Sequence, residues 1–115
     1  MNIPSNFTTK NFTKANTGKE YTDFTRYIQA KIEFLDNYTF SPHSDWDDME
    51  YYIIKRFVKK LSALVRPHIL AEFLGIDTAV IFNAIEKGDI PYFKYESIYT
   101  IETDKLIPFL RKHYF

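Results

Sequence analysis

A chain of 115 residues with 15 basic and 15 acidic side chains carries no net charge, which argues against the uniformly basic surface of many autonomous DNA binders. It has no cysteine, so disulfides and thiolate chemistry are excluded. Its 11 Phe and 9 Tyr predict a core rich in aromatic rings, and the length fits one domain with an N-terminal extension.

Residues 1–19 are rich in Asn and Thr and contain no acidic residue; they read as a flexible tail carrying Lys10, Lys14 and Lys19. No signal-peptide core precedes the domain, and no apolar run approaches the roughly 20 residues that span a bilayer. A cytoplasmic protein with no membrane partner is expected.

From Glu20 the pattern is helical. Tyr21, Phe24, Tyr27, Ile28, Ile32 and Leu35 recur mostly at three- and four-residue steps, predicting a helix that ends near Asp36-Asn37. With Phe34 and Tyr38 beside it, that face serves the core or the contact of a homodimer. The segment from Thr39 to Asp45 breaks the chain. Ser44, Asp45, Asp47 and Asp48 then mark a helix N-terminus by capping and dipole. The next helix is expected from about Asp45 to Val65. Its apolar face is Met49, Ile53, Phe57, Leu61 and Leu64, helped by Ile54, Val58 and Val65.

The carboxylates between Ser44 and Glu50 read as caps rather than metal ligands. Lys55, Arg56, Lys59 and Lys60 share one face of the same helix, either as a solvated surface or as contacts to the DNA backbone. Residues 20–66 thus form a two-helix extension.

Arg66-Pro67 ends that helix, because the residue before proline is pushed out of the helical region. His68 to Leu74 resumes it, Gly75 supplies positive φ for a sharp turn, and Ile76 plugs the turn into the core. Asp77 or Thr78 caps a second helix running to Lys87, which Gly88 stops. Ile90-Pro91 leads into a strand from Tyr92 to Tyr95. Glu96-Ser97 turns it, and Ile98 to Ile101 returns. Thr103 is expected to cap a closing helix in which Leu106, Ile107, Phe109 and Leu110 pack inward and Pro108 introduces a kink.

This order of parts resembles the excisionase and MerR-like family of winged helix-turn-helix proteins over about residues 68–112. The matching residues are Ala71-Glu72-Phe73-Leu74-Gly75-Ile76, Ile85 three residues before Gly88, Gly88-Asp89-Ile90-Pro91, Lys94, Leu106 and Phe109-Leu110. The resemblance implies a mainly α fold with a small β-hairpin wing, in which residues 67–115 form the winged helix-turn-helix domain. It also implies a DNA-binding accessory or regulatory protein of a mobile genetic element, such as a phage or plasmid. Double-stranded DNA, a second copy and a recombinase or host protein would be its partners.

In such proteins the second helix, here 78–87, lies in the major groove. Thr78, Ala79, Phe82, Asn83 and Lys87 would face the bases, with Asp77 and Val80 at neighbouring family positions. Asn83 suits adenine, and Ala79 or Phe82 suits a thymine methyl. The wing, 91–101, would reach flanking DNA through Lys94, Tyr95, Ser97 and Tyr99.

This chain departs from the family in charge. No Arg or Lys stands on the second helix before Lys87, and residues 66–115 hold six basic against seven acidic side chains. An alternative follows, in which Ala79, Phe82 and Ala84 turn the same scaffold into a protein-interaction or inhibitor module. The two readings differ on whether Phe82 is exposed beside positive potential or packed under the N-terminal helices. His43, His68 and His113 are scattered and no phosphate-binding glycine loop or nucleophile motif occurs, so neither an enzyme nor a cofactor is expected.

Overall fold

Alternation of side chains through Tyr92-Phe93-Lys94-Tyr95 and Ile98–Glu102 gives a ribbon with two different faces. In the computed structural model of the chain, which describes residues 18–115, these segments pair as an antiparallel hairpin, β3 (Tyr92–Tyr95) and β4 (Ile98–Glu102). Glu96 turns the hairpin at φ 51°.

The predicted hairpin is therefore present, but it is the centre of a larger sheet. A first strand, β1 (Gly18–Tyr21), lies parallel to β3, and a two-residue strand, β2 (Leu64–Val65), lies antiparallel to β4. The order is β1-β3-β4-β2. With five helices around it, the fold is mixed α and β. The sheet takes strands from both the predicted N-terminal extension and the C-terminal part.

Two expectations about the N-terminal part are corrected by this sheet. The predicted tail, residues 1–19, lies outside the described residues up to position 17, as do Lys10 and Lys14; its last two residues, Gly18 and Lys19, open β1. Helix was expected from Glu20, yet Glu20 and Tyr21 are strand, and α1 spans Phe24–Asn37. Asp23 caps it, its carboxylate accepting from the Thr25 amide at 2.9 Å. A four-residue strand whose partner lies some 70 residues away leaves no periodic mark of its own in the sequence.

The second helix, α2, spans Asp48–Leu61, shorter at both ends than expected. Its N-cap is Asp47 rather than Ser44 or Asp45. The Asp47 carboxylate accepts from the Glu50 amide at 2.8 Å, and the Asp47 amide donates to the Glu50 carboxylate at 3.0 Å, a reciprocal capping box. At the other end Ser62 takes φ 74° and directs the chain into β2. Leu64 and Val65 are thereby strand residues rather than the last turn of the helix. Thr103 secures this turn, because its hydroxyl donates to the Ser62 carbonyl at 2.7 Å and its amide to the Ala63 carbonyl at 2.9 Å.

The inward face of α2 is rotated from the predicted one. Met49 is 67% exposed, whereas Glu50 and Ile54 are buried. Apolar spacing placed Met49 inside; the pairing of Glu50 with Arg111 reverses that order.

The two short helices of residues 67–87 match their reading closely. Helix α3 (Pro67–Leu74) starts on a proline, whose missing amide is no loss in a first turn. Gly75, at φ 72°, closes it, with the Ile76 amide donating to the Ala71 carbonyl at 3.0 Å. Asp77 caps α4 (Thr78–Glu86) through the Ala79 amide at 2.9 Å. Gly88, at φ 83°, repeats the stop, with the Asp89 amide donating to the Ala84 carbonyl at 2.9 Å.

Thr103 does not cap the closing helix. It begins a 3-10 turn (Thr103–Lys105), and α5 spans Ile107–His113 with Pro108 in its first turn. Proline is compatible with that position, so no kink results.

The two faces of the sheet pack differently. Phe93, Tyr95 and Thr100 meet α1, where Tyr21, Phe24 and Tyr27 complete a nest of rings. Tyr92 and Tyr99 point the other way, and Tyr99 meets Phe82 of α4. The fully buried centre is mostly aliphatic, built on Ile54, Leu70, Ile81, Ile90, Ile101, Leu106, Ile107 and Leu110, with Phe109 as its ring. The expected aromatic packing is concentrated instead on the α1 side of the sheet, where Tyr27 and Phe93 are buried. Among the described residues no helix is long and apolar enough to cross a membrane.

Candidate nucleic-acid interface

Helix α4 turns Ile81, Ala84 and Ile85 inward, which leaves Ala79, Asn83, Glu86 and Lys87 exposed along one side. Thr78 and Val80 are half-buried. Of the predicted base-reading residues, Ala79, Asn83 and Lys87 therefore share an open surface. Phe82 is half-buried, its ring edge-on to Tyr99 at 5.1 Å between centroids. It is neither exposed beside cations nor packed under the N-terminal helices. Asp77 and Glu86 against Lys87 leave the outer side of this helix slightly acidic.

The predicted wing residues are divided between the two faces of the sheet. Lys94 and Tyr99 are cross-strand partners on the α4 side, whereas Tyr95 is packed against Phe24 and Tyr27 on the α1 side. Only Ser97, in the turn, is fully exposed. The Lys94 ammonium donates to the Tyr99 hydroxyl at 3.4 Å and sits 5.1 Å from the centre of that ring. The Glu20 carboxylate lies 3.7 Å from it. The hydrogen bond to Tyr99, and then the nearby negative charge, hold the Lys94 proton more tightly than usual. Its charge is shared with groups of its own chain. Sequence reading missed Glu20 as a partner because the parallel pairing of β1, which sets Glu20 opposite Lys94, has no local signal.

The predicted backbone-contacting residues lie together. Ile54 anchors α2 in the core, and Phe57 meets Phe73 of α3 edge to face at 5.0 Å. Lys55, Arg56, Lys59 and Lys60 are consequently turned to solvent. With Tyr52 they line a shallow cleft of about 400 Å³. Among the described residues, none of these four cations makes an ion pair. Lys59 and Lys60 also stand in the last turn, where the helix dipole favours positive charge. Tyr52, 66% exposed, was not singled out from the sequence. Its signal was available, since it precedes Lys55 and Arg56 by three and four residues.

The acidic residues at the start of α2 are engaged structurally. Arg111 of α5 donates to both oxygens of Glu50 at 2.6 and 2.8 Å and to the Asp45 carboxylate at 3.4 Å. This fork holds the Glu50 carboxyl down at about 2, with the capping bond from Asp47 in support and burial opposing. The pair ties α5 to α2.

No family model, curated protein or solved structure matches this chain. The chemistry open to the surface follows from its own groups. Four exposed cations on one helix face can neutralise phosphates, and an exposed phenol ring beside them offers a flat apolar contact. The outer side of α4 offers one amide, one cation and a methyl group, enough for contact with base edges but poor in phosphate affinity.

Proposed function

We propose that this chain is a DNA-binding accessory or regulatory protein, with α4 directed toward the major groove and the basic face of α2 contacting the phosphate backbone. The observation that carries the reading is the cluster Lys55, Arg56, Lys59 and Lys60, which gathers four of the 15 basic side chains on one exposed surface of a protein with no net charge. The order α3, turn, α4 and hairpin supports it, as does the excisionase-like pattern of residues 68–112. Ala79, Asn83 and Lys87 would make the groove contacts. The Tyr99 and Phe82 rings brace α4 from behind.

Fluorescence anisotropy of a labelled duplex across a salt series tests it. Four phosphate contacts predict a slope of about −3.6 in log K against log salt, so raising salt from about 50 to 200 mM weakens binding roughly 150-fold. Changing Lys55, Arg56, Lys59 and Lys60 together to Ala should remove most of that slope. A folded protein that binds no duplex at low salt would overturn the reading.

A second reading, a protein-interaction module on the same scaffold, is favoured by one specific observation. The outer side of α4 carries more acidic than basic charge, and Lys94 is held by Glu20 and Tyr99. Absence of duplex binding selects it. Substitutions at Ala79 and Asn83 would then weaken protein association instead.

A further inference from the structure

The outer arc of α2 carries more than charge. At 1.5 Å per residue, Tyr52 to Lys60 makes a track about 12 Å long. Lys55, Arg56, Lys59 and Lys60 follow Tyr52 at steps of three, four, seven and eight residues, so all five fall on one side of the helix. Met49, three residues before Tyr52, joins the same arc. Met49 and Tyr52 are 67% and 66% exposed, an apolar pair left in water at one end of a row of cations.

Among the described residues, nothing packs an aromatic ring on Tyr52 or hydrogen-bonds its side chain. Its neighbour Tyr51 packs on Phe40 at 5.7 Å between centroids and lies under the Lys55 ammonium. A plain solvated face, or one that only neutralises duplex phosphates, has no need of an exposed thioether and phenol. Basic side chains beside open rings are what an unpaired strand requires: phosphates meet the cations, and an unstacked base covers the ring. An intact duplex keeps its base faces stacked inside and leaves such a platform empty.

We propose that the α2 face is a binding site for single-stranded nucleic acid, with a base stacked on Tyr52 beside Met49 and the adjoining phosphates held by Lys55, Arg56, Lys59 and Lys60. The proposal rests on the nucleic-acid reading above and specifies the form of ligand for its basic surface. α4, with its amide and cation, remains the side directed toward paired DNA.

The test uses the full chain and its Tyr52→Ala and Tyr52→Phe variants, titrated with labelled oligo-dT, oligo-U and a duplex of equal length, with heparin as a competing polyanion. At equal salt, a single strand should bind more tightly than the duplex. Tyr52→Ala should weaken single-strand binding roughly ten- to a hundred-fold, leave duplex binding and the salt slope unchanged, and be rescued by Tyr52→Phe. Tight binding of either oligomer supports the proposal.

Equal loss for duplex and single strand in Tyr52→Ala, or no loss for either, would overturn it in favour of a plain polyanion surface. Duplex binding without any single-strand preference would overturn this inference and leave the DNA reading standing. Failure to bind any nucleic acid would overturn both.

Discussion

The Tyr27 hydroxyl and the Thr100 hydroxyl form a hydrogen bond at 2.5 Å, across 73 residues of sequence, with both side chains 1% exposed. It joins α1 to the centre of the sheet, so it tests whether the N-terminal helix belongs to one cooperative fold. Tyr27→Phe removes one hydroxyl and leaves the other buried without its partner. The cost should be about 1–3 kcal/mol, because an unmatched buried hydroxyl loses water and gains nothing. Thr100→Val should cost a similar amount. The double variant removes both groups and should be more stable than the sum of the two losses predicts, by about 1–2 kcal/mol.

Urea unfolding followed by far-UV circular dichroism on the four proteins measures this cycle. Each kcal/mol should also appear as a fall in Tm of about 4–8 °C for a domain of 60–100 residues. The slope of stability against urea should stay constant, since the buried surface does not change. Additive losses in the double variant, or a Tyr27→Phe protein within about 0.5 kcal/mol of the parent, would refute the reasoning. A separate early transition in the parent would show α1 unfolding on its own.

Three further outcomes are expected. The Glu50 carboxyl is held down at about 2 against an ordinary 4.5, first by Arg111; its contribution to stability is therefore present above pH 4.5 and is lost as pH falls toward 2. Glu50→Gln should flatten the acid limb of a Tm-against-pH profile; an unchanged limb would remove the pair from the account. Gly75→Ala places a side chain at φ 72° where no atom lies within 4 Å, so the loss should be that of the backbone alone, about 1 kcal/mol in thermal melting. The Tyr38 phenol is pushed up to about 12, chiefly by burial and then by Asp104, to which it donates at 3.2 Å. Its stabilising effect is complete below pH 10 and disappears as pH rises through 12. In a tyrosinate absorbance titration, Asp104→Asn should bring that late ionisation down.

Much of residues 67–101 was legible because its signals are local. Gly75 and Gly88 take positive φ, and Asp77 caps α4. Tyr92–Tyr95 is a strand with its turn at Glu96 and Ser97. Each depends on the conformational preference of one residue or on a period of two to four. The basic face of α2 was legible for the same reason: spacing along a helix determines which side chains share a side. How far it is free was not legible, since that depends on where every carboxylate of the fold comes to rest.

By itself the sequence determined where helices and turns start and stop in residues 67–101, to within a residue, and that Lys55, Arg56, Lys59 and Lys60 would lie together. Only the tertiary structure decided what those elements touch. Parallel pairing of Gly18–Tyr21 with the hairpin brought Glu20 to Lys94 and made a small ribbon into a four-stranded sheet. Arg111, 61 residues away, pairs with Glu50 on the inward side of α2, where apolar spacing had placed Met49. Thr103 bound the Ser62 turn instead of capping a helix. The physical reason is common to all three: pairing across sixty or seventy residues, or forty in the case of Thr103, is set by packing of the whole chain, and local propensity carries no record of it.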